Sequence, residues 1–149
     1  MPETPEEDYF LPCALLLKGL GLTDIDMGRN TVTVNVKFLR RLLCEFAKQQ
    51  SFDAEFYACR YPDIQGACLA GEIASEYAHF IAAGYIEGRV PYQLAFDPVW
   101  YYRHYTDLAT IFAPNDLEAL SKHFYDTGHK EGRAGTSATL EEAETWRVD

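Results

Sequence analysis

The sequence predicts a mainly α protein: two tandem helix-hairpin repeats, preceded by a short N-terminal β element and a linking amphipathic helix. Three observations predict it. The chain repeats itself at a fixed step, its apolar residues recur at helical spacing between Gly and Pro stops, and one short stretch alternates strictly. With 149 residues, 48% of them hydrophobic and 14% aromatic, a core can form without disulfides, metals or a membrane. The 23 acidic and 13 basic side chains give a formal charge of −10, which argues against nucleic acid as a partner and disfavours anionic membranes.

Residues 1–50 read as a β/α cap segment. Met1 to Asp8 is acidic and contains proline, and Lys18 breaks the apolar run from Leu11 to Leu17, so no signal leader is read there. No stretch approaches the roughly 20 apolar residues that span a bilayer. The expectation is a cytoplasmic protein without a membrane span, with surface association by another route left open. The run from Ala14 to Leu17 fits either a hairpin partner or a helix. Gly28, Arg29 and Asn30 read as a turn. From Thr31 to Val36 the alternation places Val32, Val34 and Val36 on one face, the period of a half-buried strand. From Lys37 to Lys48 the period becomes helical, with Phe38, Leu39, Leu42, Leu43 and Phe46 on one face. Lys37, Arg40, Arg41 and Lys48 make the opposite face basic. That face either docks on an acidic surface (the chain's own repeats, another subunit or a partner) or is simply solvated.

The repeat occupies residues 51–91 and 92–135. Phe52, Asp53, Tyr57, Tyr61 and Asp63 recur as Phe96, Asp97, Tyr101, Tyr105 and Asp107, a step of 44 residues from Phe52 to Phe96. At the same step His79, Phe80, Gly84, Glu87, Gly88 and Arg89 recur as His123, Phe124, Gly128, Glu131, Gly132 and Arg133. Each copy reads as two helices. Asp53, whose counterpart at the repeat step is Asp97, is placed to cap the first, and Pro62 interrupts the run in the first copy. The second helix is expected over about Glu72 to Ala83 and Asn115 to Thr127, with Leu117, Leu120 and Phe124 inward and Gly84 or Gly128 closing it in the left-handed conformation. Residues 136–149 form an acidic tail that frays or docks as a short helix.

Together, Phe52-Asp53, Tyr57, Tyr61-Pro62-Asp63-Ile64, His79-Phe80, Gly84-Tyr85 and Glu87-Gly88-Arg89 resemble a tandem repeat of bacterial, often alphaproteobacterial, proteins. Its carriers include proteins associated with exopolysaccharide and capsule production, some glycosyltransferases and surface-exposed calcium-binding proteins. The resemblance covers Phe52 to Arg133, and the second copy departs from it at Thr106 and at Ala134-Gly135. It implies an accessory or interaction unit in a cell-envelope glycan setting, with no implied chemistry.

The candidate glycan or partner contacts are Arg89, Arg133, Tyr92, Tyr102 and Trp100, because guanidinium forks match carboxylates and sugars stack on exposed rings. The competing reading pairs each Arg with Asp63 or Asp107 of its own copy and places most rings in the repeat core. The matching recurrence of the aspartates favours pairing. His79 and His123 read as caps on a neighbouring tyrosine or carbonyl, and His104 and His129 as surface residues. Cys13, Cys44, Cys59 and Cys68 form no Cys-x-x-Cys pair and read as free, commonly buried thiols. Asp24-Ile25-Asp26 matches the acidic doublet of many glycosyltransferases but is assigned to a turn, since the large nucleotide-binding domain that doublet serves needs more chain. A calcium loop from Asp24 fails at Asn35, where a bidentate Glu is required. No phosphate loop, nucleophile elbow or zinc motif occurs, so neither cofactor nor metal is expected. The expected function is a non-enzymatic protein-interaction scaffold that self-associates or binds a protein partner, and the alternative is direct binding of polysaccharide.

Overall fold

Apolar residues at helical spacing and well-placed caps make helix the dominant structure in a computed structural model that describes residues 11–22 and 31–146. The α-helices among the described residues are α1 (Cys13–Leu20), α2 (Val36–Lys48), α3 (Ala54–Arg60), α4 (Pro62–Leu69), α5 (Glu76–His79), α6 (Pro98–His104), α7 (Leu117–Asp126) and α8 (Leu140–Thr145). The segment Met1 to Asp8, the Asp24-Ile25-Asp26 doublet and the turn at Gly28, Arg29 and Asn30 lie outside the described residues. The described residues form two compact units, one within Met1–Phe52 with Asp63–Arg89, the other within Asp53–Pro62 with Val90–Asp149.

In the first unit the run around Ala14 to Leu17 is helical. Gly21, at φ 82°, closes α1, and the Leu22 N–H donates to the Leu17 carbonyl at 2.8 Å. Gly19 lies under the Phe38 ring, so α2 approaches α1 where no side chain intervenes. The strand expected over Thr31–Val36 does not form. With α1 helical no described segment pairs with it, Val32 and Val36 are exposed, and Asn35 instead caps α2, its Oδ1 accepting from the amides of Lys37 and Phe38 at 3.0 and 3.1 Å. Ala47 of α2 is fully buried, while Leu39 and Phe46 of the expected apolar face remain exposed.

Pro62 begins a helix rather than merely interrupting one, because its fixed φ and missing N–H suit the first turn of α4. The helix expected from Glu72 begins at Glu76. Ser75 caps it, accepting from Ala78 N–H at 3.0 Å, and α5 runs on as a π turn, Phe80–Gly84, against which α2 packs. Gly84 is buried inside that turn and is not left-handed. The positive φ falls at Gly88, 75°.

In the second unit Tyr101, Leu108, Leu120 and Phe124 form a buried cluster, with Leu94, Phe96 and Trp100 among the residues packed on it. Asp97 caps α6 and Asp116 caps α7. Leu117, expected inward, is exposed because it occupies the first turn beside the cap. Gly128, like Gly84, is not left-handed. It lies in a 3₁₀ turn, Gly128–Glu131, where an added Cβ would meet the Tyr101 hydroxyl, and the left-handed residue is Gly132 at φ 78°. The tail folds as the 3₁₀ turn Ser137–Thr139 followed by α8.

Candidate functional site

The repeated charged residues meet in two equivalent clamps, one in each unit. Arg89 donates Nη1 and Nη2 to the two Asp63 oxygens at 3.1 and 2.9 Å and Nε to Glu87 at 2.8 Å. Arg133 repeats the pattern with Asp107 at 3.0 and 2.8 Å and with Glu131 at 3.0 Å. Gly88 and Gly132 make this possible, since the left-handed residue turns the chain so that the Glu two positions before the Arg reaches the same guanidinium. Hydrogen bonds from Arg89 and Arg133 hold the Asp63 and Asp107 carboxyls below the ordinary aspartate range, and both guanidinium pKa values are raised in return.

A tyrosine frame recurs at the same step. The Val90 N–H donates to the Tyr61 hydroxyl at 2.9 Å and the Ala134 N–H to the Tyr105 hydroxyl at 2.7 Å. Tyr57 and Tyr61 have ring centroids 4.7 Å apart, Tyr101 and Tyr105 5.0 Å. Tyr57 and Tyr101 are fully buried, and burial pushes the Tyr101 phenol up to about 12. His123 Nδ1 lies 3.1 Å from the Tyr101 hydroxyl, the capping role expected of it. His79 is mostly buried, with Nε2 3.8 Å from Glu87.

The other sequence candidates are scattered. Tyr92 is exposed, but Tyr102 packs against the buried cluster, and Trp100 is half-buried and stacks on His104 with centroids 4.6 Å apart. His129, expected at the surface, is half-buried. Its Nδ1 is 3.2 Å from the Phe124 carbonyl, and burial lowers its pKa. On α2, Arg40 donates to the Ala82 carbonyl of the π turn at 3.0 Å and Lys48 pairs with Glu45 at 2.8 Å, while Lys37 and Arg41 are exposed. The cysteines are all free, but Cys13 and Cys59 are exposed rather than buried. Among the described residues no group of three His, Cys, Asp or Glu side chains is placed to hold a metal. No described helix is long and apolar enough to cross a membrane.

Sequence reasoning missed one feature, an open groove of about 770 Å3 beside α3 and α7 in the second unit. Arg60 lies over the Tyr125 ring, 4.2 Å from its centroid, and reaches Asp126 only at 3.5 Å. Lys122 holds the other Asp126 oxygen at 2.5 Å, and that bond lowers the Asp126 pKa. Arg60 has no counterpart at the repeat step, where His104 stands, so self-comparison gave no reason to single it out. No family model, curated protein or solved structure matches the chain.

Proposed function

We propose that the chain is a non-catalytic interaction module, two tandem helix hairpins that act by holding protein partners in bacterial envelope polysaccharide production or surface attachment. The observation that carries this reading is the internal use of the repeated charged side chains. Arg89 and Arg133 each direct three nitrogens at carboxylates of their own copy, so the signature of the repeat serves to brace the hairpins. The remaining surface keeps large apolar side chains, Leu69 at 84% exposure, Val36 at 74% and Ile111 at 66%, which suit contact with protein. The envelope setting rests on the resemblance of Phe52 to Arg133. Affinity capture with the full chain, in a bacterium that carries it, is expected to recover envelope-polysaccharide proteins; recovery of unrelated metabolic enzymes alone would overturn the reading. Self-association is part of the proposal, and light scattering that gives a strict monomer at micromolar concentration would remove that part. Glycan contact through Arg89 and Arg133 has less support, because both guanidinium forks already hold a carboxylate.

A further inference from the structure

We propose that the groove beside α3 and α7 binds a sugar acid, with Arg60 taking its carboxylate. This inference stands apart from the scaffold reading, because it concerns a residue outside the repeated frame. Its starting point is a contrast among arginines. Arg89 and Arg133 each use Nε, Nη1 and Nη2 in bonds of 3.1 Å or shorter. Among the described residues Arg60 makes a single hydrogen bond, of 3.5 Å, and its Nε is buried with no partner. The guanidinium sits over the Tyr125 ring, a contact that supports it without neutralising its charge.

A carboxylate arriving end-on at the Arg60 fork would replace that long contact to Asp126 and break no strong one, since Lys122 still holds Asp126. The lining decides which carboxylate fits. Glu118 and Asp126 accept hydrogen bonds, Lys122 donates, and Gln93 and Ser121 do both. A sugar ring carries hydroxyls that donate to the acidic oxygens and accept from the others, and it brings one charge per ring. An acidic peptide brings a similar charge, so what sets the sugar apart is its hydroxyls, each able both to donate to Glu118 and Asp126 and to accept from Lys122. The open groove, about 770 Å3, admits a chain of linked rings from the side.

The test is titration calorimetry of the full chain with an oligogalacturonate, an uncharged oligoglucoside of equal length and a short Glu-rich peptide. The acidic sugar is expected to bind at least about tenfold more tightly than either control, the range of a charge-assisted hydrogen-bond pair. Arg60→Gln and Arg60→Lys should each weaken it by about tenfold or more, because lysine keeps the charge and loses the planar fork. Glu144→Gln, exposed on α8 and outside the groove, should bind as the parent does. Melting curves establish that each variant is folded; if Arg60→Gln is not, Arg60→Lys and Lys122→Gln carry the comparison. The proposal is overturned by no binding of oligogalacturonate, by equal binding of the neutral sugar, by equal or tighter binding of the peptide, or by parent-like affinity in Arg60→Lys.

Discussion

Replacing Gly128 by alanine tests how the buried tyrosine frame is seated. An added Cβ at that position would fall on the Tyr101 hydroxyl, with Tyr101 Cζ at 3.2 Å and Arg133 Cδ at 3.6 Å. Tyr101 is fully buried and cannot swing into solvent. Overpacking of this kind costs about 1–3 kcal/mol. Displacing the hydroxyl from His123 Nδ1, 3.1 Å away, adds roughly 0.5–1.5 kcal/mol. The sum, about 1.5–4.5 kcal/mol, exceeds the gain of up to about 1 kcal/mol from removing a flexible glycine. Urea unfolding followed by tryptophan fluorescence reads the relevant unit, since Trp100 packs on the same cluster as Tyr101. Tyr101→Phe alone should cost about 1 kcal/mol, the net worth of one hydrogen bond. In that background Gly128→Ala should be nearly neutral, giving a coupling of at least about 1 kcal/mol across the double-mutant cycle. Equal losses from Gly128→Ala in both backgrounds would refute the claim that the hydroxyl excludes a side chain there.

Other outcomes follow from the charges and caps. The folded pKa values of Asp63 and Asp107 are depressed, so their stabilisation is present above the unfolded aspartate value of about 4 and is lost as pH falls through the lower folded values. Acid unfolding of the Asp63→Asn, Asp107→Asn double variant should show a flatter acid limb, and because both carboxylates are more than half exposed the difference should shrink in high salt. His129 is held neutral by burial, so it contributes stability that is present above about pH 6.5 and lost as pH falls through its lowered value. An NMR titration placing the His129 midpoint at or above that of an exposed histidine would contradict this. Asn35→Ala should cost about 0.5–2 kcal/mol by removing the cap of α2, and hydrogen exchange should quicken at Lys37 and Phe38, the amides Asn35 now holds. Unchanged exchange there would remove the capping role.

Charge and aromatic recurrence in the sequence carried the most structural information. The aspartate caps at positions 53 and 97, the two Arg–Asp pairings, the helix ending at Lys48 and the buried Leu120 and Phe124 were all legible, because each depends on a local spacing or a residue type with one strong preference. Tertiary context was not. Three alternating valines look the same whether or not a partner strand exists, and Asn35 preferred to cap a helix. Gly84 and Gly128 looked like helix closers, but one lies in a π turn and the other beneath a tyrosine hydroxyl, while Gly88 and Gly132 take the left-handed turns. The equivalent segments also differ in winding, π at Phe80–Gly84 against α through Phe124, although the polar residues match. Of the candidate site, the repeated arginines were legible and the Arg60 groove was not, because stacking on Tyr125 joins residues 65 positions apart with no recurring pattern.

Two backbone bonds give the spacing a mechanical meaning. The Asp53 N–H donates to the Pro91 carbonyl and the Asp97 N–H to the Gly135 carbonyl, both at 2.9 Å, so the chain returns to each starting aspartate after 38 positions. Each excursion is thus fastened at its neck, and the capping aspartate is also the fastening point. A stretch of chain buckled in this way tolerates growth between its buckles. Inserting chain between Pro91 and Asp97 leaves both buckles able to close, whereas inserting it inside either excursion lengthens the loop that its buckle must close.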